Sequence, residues 1–312
     1  MKTGFCFILI LPLLYITQLM AASDIKVLVS IKPFHSLVSA IMQDVSEPLL
    51  LINGNNSPHS YALRPSSAEN LQQADLVFWG GEILEGFLTK PLQSLASRAK
   101  LVSLQETAGL RLLPLRSGIV WQKHETDSAN DHSAEDETTS TSGTDPHIWL
   151  DPYNAKIISS KIVEILTEMD PQNAQSYRRN GEKYGLRLEL LDRKLKAEMT
   201  KVAETPYMVF HDAYQYFEKR YQLNVVGSMT LHIGFGSSVR RLTAVRKTIQ
   251  KEKIRCIFSE PQFSPKLLQT VIAGTNVKQG TLDPLGAGLE SGAELYFTLL
   301  NNLSHNLSSC LN

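Results

Sequence analysis

The sequence has no excess of charge of either sign: 31 Lys and Arg stand against 31 Asp and Glu in 312 residues. A chain so balanced carries no basic footprint for nucleic acid or for an acidic membrane surface. Past its N-terminal segment it also has no apolar run long enough to span a bilayer, which excludes a multi-span membrane protein. Neither a Gly-x-Ser-x-Gly nor a His-Glu-x-x-His motif occurs. The stretch Gly234-Phe235-Gly236-Ser237-Ser238 lacks the Gly-Lys-Ser/Thr ending of a phosphate loop and reads as a tight turn. What is present, 43% hydrophobic residues with 20% charged, describes a globular chain rather than a disordered one. At about 150 residues per domain, the length points to two domains.

Residues 1–23 read as a secretory signal peptide. Lys2 supplies the positive start, Phe5 to Ile16 an apolar run of about a dozen residues, and Ala21-Ala22-Ser23 a small-residue cleavage site near Ala22/Ser23. An uncleaved anchor is the alternative, although the run is shorter than the roughly 20 residues a membrane helix needs. Export places the chain in a compartment where disulfides persist. Cys6 leaves with the signal, so the mature chain keeps Cys256 and Cys310. These read as one bridge or as two buried thiols, and spacing alone does not decide between them.

From residue 24 onward strands alternate with helical stretches. Strands are expected at 25–31, 49–52, 76–80 and 101–104, with helices from Pro33 to Met42, from Ser66 (capping-box spacing to Glu69) to Ala74, and over 83–96. Residues 117–146 interrupt the pattern with one Lys, seven acids and ten Ser/Thr. This segment is either a solvated acidic insertion or a weak cation-attracting loop. Asp151-Pro152 then starts a helix in the manner of an N-cap and N1 proline, running to about Met169. A charged helix over about 173–202 would span some 45 Å, a rod between two halves. The second half repeats the alternation, with strands at 207–210, 225–226, 255–259 and 277–282 and a final helix over 290–310. The fold expected is therefore α/β. Two parallel-sheet lobes, 24–172 and 204–312, are joined by one linking helix over 173–203.

Four metal-capable side chains follow strands or turns: His59, His147, His211 and Asp283. Open parallel sheets bind ligands at the carboxyl ends of their strands, and three imidazoles with a carboxylate or water suit tetrahedral Zn²⁺. His35, near a helix start, and His305, on the last helix, read as structural.

These residues lie in segments that resemble the metal-binding periplasmic receptors of ABC importers. The segments are PHSYALRPS (58–66), DPHIWLDP (145–152), FHDAYQYF (210–217), SEPQF (259–263) and GTLDPLG (280–286). Taken together they are similar to the ZnuA-type zinc-uptake branch. The resemblance implies two (β/α)4 lobes around a metal cleft and zinc ligation by His59, His147 and His211. It further implies a periplasmic monomer that is not an enzyme and that passes Zn²⁺ to a membrane permease. Manganese-preferring relatives tend to carry Glu where this chain has His211, and imidazole moves preference toward zinc. Cys256 and Cys310 match a pair that is disulfide-bonded in some relatives. Pro58 stands where some relatives carry a ligating Glu, so the fourth position falls to Asp283 or to water, and water with Asp283 close by is the reading we favour. His124 and His132 form a poor version of the family's His-rich loop, a weak secondary metal site. His232 is either an extra ligand or an ordinary loop residue. The competing readings are a manganese or iron receptor of the same family and a zinc hydrolase, since three His with an open position also make a catalytic site.

Overall fold

The computed structural model describes residues 25–116, 143–230, 239–264 and 266–312. Residues 1–23 (the expected signal peptide), His124, His132, His232 and the expected tight turn at Gly234–Ser238 lie outside them. In the first half, β1 (Val27–Val29), α1 (Lys32–Ile41), β2 (Leu49–Leu50), α2 (Pro65–Gln73), β3 (Leu76–Trp79), α3 (Glu82–Glu85), α4 (Thr89–Leu95) and β4 (Lys100–Ser103) follow one another. Then come α5 (Pro152–Met169) and α6 (Ala174–Met199). The second half runs through β5 (Tyr207–His211), α7 (Gln215–Tyr221), β6 (Val225–Thr230), α8 (Val239–Lys251), β7 (Cys256–Ser259), α9 (Lys266–Ile272), β8 (Lys278–Thr281) and α10 (Leu295–Leu311).

The strands form two all-parallel sheets, ordered β2-β1-β3-β4 and β6-β5-β7-β8. Both thus have the same plan, with the first strand of each half inside and the second at an edge. This is the two-lobed α/β architecture expected from the sequence. The linking helix α6 has 26 residues, which at 1.5 Å each makes a rod of about 39 Å. It packs on α1 and α5 of the first half and on α7 and α10 of the second. Because α10 also packs on α1, the last helix of the chain ties the two lobes together.

Three local expectations need correction. Ser66 is not a cap: α2 begins at Pro65, with Arg64 in the cap position and no side-chain cap bond. The single helix expected over 83–96 is broken into α3, a 3-10 turn at Gly86–Leu88, and α4. Pro91 fits only the first turn of a helix, so a new helix must start just before it. The last helix begins at Leu295 rather than 290, because Gly292 adopts φ 132°, outside helical space. Asp151, by contrast, caps α5 as expected, its side chain accepting the Tyr153 N–H.

Cys256 of β7 and Cys310 of α10 are joined by a disulfide, with Cα atoms 6.1 Å apart. Among the described residues no helix is long and apolar enough to cross a membrane.

Candidate metal centre

The site is assembled at the carboxyl ends of both sheets. Along β5, side chains alternate between faces. Tyr207 and Val209 enter the core shared by the two lobes, whereas Met208 and Phe210 enter a separate outer core. His211 continues the inner set and therefore points toward the first lobe. His59 lies in a 3-10 turn, Pro58–Ser60, beyond β2. His147 precedes another, Ile148–Leu150.

The three rings meet. His59 Nε2 is 3.2 Å from His147 Nε2, and one ligand atom from each of the three residues lies within 4.8 Å of the others. Ring centroids are 5.0–5.5 Å apart, with ring planes inclined by 57–87°. Nitrogens around a tetrahedral Zn²⁺ with bonds of 2.0–2.1 Å stand about 3.3 Å apart, so the closest pair already has the spacing of two ligands. His147 and His211 are buried and His59 is half-buried.

Two of the rings are backed by carboxylates. Asp145 Oδ1 accepts the backbone N–H of His147 at 2.9 Å and its Nδ1 at 2.7 Å. This fixes the ring's tautomer and leaves Nε2 for a ligand. Asp145 is itself pinned: its N–H donates to Leu113 O at 2.8 Å, and its carbonyl accepts the Tyr216 hydroxyl at 2.8 Å. Just downstream, the Trp149 indole N–H donates to Pro284 O at 2.8 Å, and the Tyr296 hydroxyl donates to Trp149 O at 2.6 Å. Glu260 stands behind His211, its Oε1 3.4 Å from Nδ1, an ion-pair contact rather than an aligned hydrogen bond. The register pairs Val209 with Phe258, which brings Glu260 level with His211 two residues on.

Burial, together with the charge of His211, holds the His147 pKa well below the usual imidazole range. Burial is the largest influence on His211 and works against its protonation, but the charge and side-chain contact of Glu260 with the charges of Asp212 and Asp145 together outweigh it, and the net shift is upward. Burial pushes Asp145 up to about 7, opposed by the His147 N–H, Arg116 and His211. Behind these lies a buried charge cluster. Arg116 Nη1 contacts Asp212 Oδ1 at 3.2 Å and Glu218 Oε2 at 2.7 Å. With Asp145, three buried carboxyls share this one guanidinium, and the surplus of acid behind the rings favours a cation in front of them.

Asp283 is not in this cluster. Its carboxylate accepts the N–H groups of Leu285, Gly286 and Ala287 at 3.1, 3.0 and 2.6 Å and the Gln262 amide at 3.0 Å. A carboxylate so fully engaged by the turn that follows it is not presented to the rings, and the fourth ligand considered for Asp283 is not what the structure places there. Asp145, counted in the sequence among the acids of the 117–146 insertion, is buried, at 1% exposure. His35 is remote from the rings, with Nε2 donating to Pro48 O at 3.0 Å, and His305 is exposed on α10. Sequence reasoning passed over Asp145 and Glu260 as supports for the rings. The first signal was Asp145 standing two residues before a histidine in a turn. The second was Glu260 directly after β7, at the same rim as His211.

Comparison with known proteins bears on family and fold. Residues 27–310 match the family described as "Zinc-uptake complex component A periplasmic", ZnuA. The high-affinity zinc uptake system protein ZnuA of Brucella abortus (strain 2308) is 40% identical over 304 residues, covering 91% of each chain. Its Yersinia pestis counterpart is 35% identical over 289 residues, again covering 91% of each. Among solved structures, a crystal structure of ZnuA superposes with a TM-score of 0.76 at 23% identity, over 93% of this chain and 100% of that one. A zinc-bound ZnuA deletion mutant gives 0.76 at 23% identity, over 93% of this chain and 99% of that one; both likenesses speak to the fold. With the family description spanning nearly the whole chain and full-length relatives at this identity, the chain belongs to the ZnuA family of zinc-uptake components.

Proposed function

We propose that the chain is a periplasmic zinc receptor. It binds one Zn²⁺ through His59, His147 and His211 and passes the ion to the membrane permease of an ABC importer. The observation that carries this reading is the convergence of three imidazoles from three separate segments. Two of them are buried and backed by carboxylates. Nitrogen donors suit Zn²⁺ better than the oxygen-preferring Mn²⁺, and a neutral His147 has its lone pair ready for the metal without first losing a proton. With Asp283 engaged elsewhere, water takes the fourth position. Residues 1–23 direct export and are then removed, and the receptor acts as a monomer and performs no catalysis. His124 and His132 supply a weaker accessory site.

Titration calorimetry against a competing chelator tests the primary site. Wild-type protein should take up one tightly held Zn²⁺, in preference to Mn²⁺ and Fe²⁺. His59→Ala, His147→Ala and His211→Ala should each weaken binding on the order of a hundredfold or more, at least what loss of a supporting partner costs. His35→Ala and His305→Ala should leave affinity unchanged. Unaltered zinc affinity in any of the first three removes that histidine from the site.

A further inference from the structure

The segment from Asp283 to Leu289 lies between the lobes and is held from both sides. On the second-lobe side, the Asp283 carboxylate gathers the three successive N–H groups of Leu285, Gly286 and Ala287. Gly286 closes the turn at φ 68°, a conformation suited to glycine. From the first lobe, Lys32 Nζ donates to Ala287 O at 2.8 Å, Leu289 O at 2.9 Å and Gly286 O at 3.4 Å. The turn thus has its donors held by an acid and its carbonyls held by a base from the opposite lobe.

Nothing within α1 accounts for Lys32. It occupies the first position of the helix and is 6% exposed. A positive charge at a helix N-terminus opposes the helix dipole, and burying a charge is costly unless it is paired. The compensation comes from across the lobe boundary, from the three carbonyls and from the nearby charges of Asp283 and Glu290.

The same turn borders the metal site. Pro284 and Leu285 line the recess around the three histidines, and so does Gln262, whose amide donates to Asp283. Asp283 therefore adjoins the wall of the recess through its chain neighbour Pro284 and its hydrogen-bond partner Gln262.

We propose that Lys32 is a specificity-determining positioning residue: by closing the 283–289 turn from the first lobe, it keeps Asp283 engaged in the turn and out of the metal's coordination sphere. The site then remains an imidazole site with an open fourth position, and discrimination against Mn²⁺ follows from withholding an oxygen ligand. This rests on the zinc-receptor reading above. Without Lys32 the carbonyls of the turn lose their donor, and a bound metal becomes the nearest cation for Asp283.

The test is the ratio of zinc to manganese affinity in Lys32→Met, which keeps the aliphatic stem and removes the ammonium. Competition titrations with Zn²⁺ and Mn²⁺ are accompanied by Mn²⁺ electron paramagnetic resonance to report oxygen coordination, and by circular dichroism to confirm folding. The Zn/Mn affinity ratio should fall about tenfold or more, the scale at which supporting residues tune metal sites. The resonance of bound Mn²⁺ should change with it. Lys32→Arg should restore the wild-type ratio, and the double variant Lys32→Met/Asp283→Asn should lose the gain for manganese. If Lys32→Met does not fold, Gln262→Ala removes one hold on Asp283 while leaving Lys32 and its three carbonyl bonds in place, and a smaller fall in the ratio is expected. An unchanged ratio in the folded variant, or a gain that persists without the Asp283 carboxylate, overturns the role of Lys32 while leaving the zinc site standing. Wild-type protein that binds no zinc would overturn the receptor reading and this inference together.

Discussion

The two sheets share one topology but bury their faces differently. In the first lobe, Val27, Leu28 and Val29 of β1 and Leu76, Val77 and Phe78 of β3 point to both sides of the sheet and still belong to one continuous core. That core runs on through α5, α6 and α10. In the second lobe the faces are divided. Tyr207, Val209, Cys256 and Phe258 join the shared core, while Met208, Phe210 and Ile257 pack with Val245, Ile249, Leu268 and Val271 in a small core of their own. The second lobe is thus half fused to the first and half a thin outer layer resting on α8 and α9. All three histidines, and the turn that holds Asp283, lie on the fused side. The difference teaches where rigidity is needed, because a site made from two lobes keeps its spacing only if the seam between them is the better-packed part.

The largest effect should come from breaking the seam. Trp149 is fully buried, stacks edge-on against Phe34 with centroids 5.5 Å apart, and bonds across to Pro284. Trp149→Ala should cost about 3–5 kcal/mol in urea unfolding and weaken zinc binding as well. Leu268→Ala, in the outer core, should cost about 2 kcal/mol or somewhat more, but hydrogen exchange should show opening confined to α8, α9 and their strands. If exchange in the two variants rises over the same residues, the division between fused and outer layers is wrong.

Next in size is the disulfide. Cys256 and Cys310 both belong to the shared core, so the bridge fastens the inner face of the second sheet to the helix that spans both lobes. The cysteines are 54 residues apart, for which the loop-entropy estimate is about 4 kcal/mol at most. A Cys256→Ala/Cys310→Ala protein should lose about 2–4 kcal/mol, with faster exchange along α10 and α1. A loss confined to α8 and α9 would place the bridge's effect in the outer layer and break the comparison.

Much of this was legible in the sequence. The strands at 49–52, 76–80 and 255–259 announce themselves as short β-rich runs between turn residues, and the rim argument brought His59, His147 and His211 together. What escaped depended on which carboxylate faces which partner across the fold. Asp283 carries the same rim signal as the histidines, and only the N–H groups of its own turn decide that it faces away. Lys32 reads as an ordinary polar residue opening a helix, because its partners lie more than 250 positions away. The division of the second sheet's faces was written in the alternation along β5 and β7. Which face meets the other lobe was not, since both faces are apolar.

The smallest expected effect lies in the first lobe and depends on pH. Glu85 of α3 is fully buried, and Oε2 accepts the Gly80 N–H at 2.7 Å. Burial pushes its pKa up to about 7 from the usual 4.5, with the Ser30 hydroxyl and the Gly80 and Gly81 N–H groups opposing the shift. Below pH 4.5 the carboxyl is protonated in the folded and unfolded chains alike, and its contribution is fully present. Between 4.5 and 7 the unfolded chain gives up the proton while the folded chain keeps it, so stability falls as pH rises. Above 7 both are ionised and the loss is complete, on the order of 3 kcal/mol. Glutamine has the same shape and offers an amide N–H in place of the carboxylic O–H. Glu85→Gln should therefore match wild type near pH 4.5 and exceed it by up to about 2 kcal/mol at pH 8, measured by urea unfolding of metal-free protein. Asp145, Asp212 and Glu218 also titrate in this range, but they are common to both proteins, so the difference between the two curves isolates Glu85. Hydrogen exchange of the variant at pH 8 should slow in β1 and β3, the strands beside Glu85, and leave α8 and α9 unchanged. Parallel pH curves for the two proteins would mean that Glu85 is already ionised in the folded first lobe. The pH-sensitive part of the molecule would then be the carboxyl cluster around Arg116 at the seam.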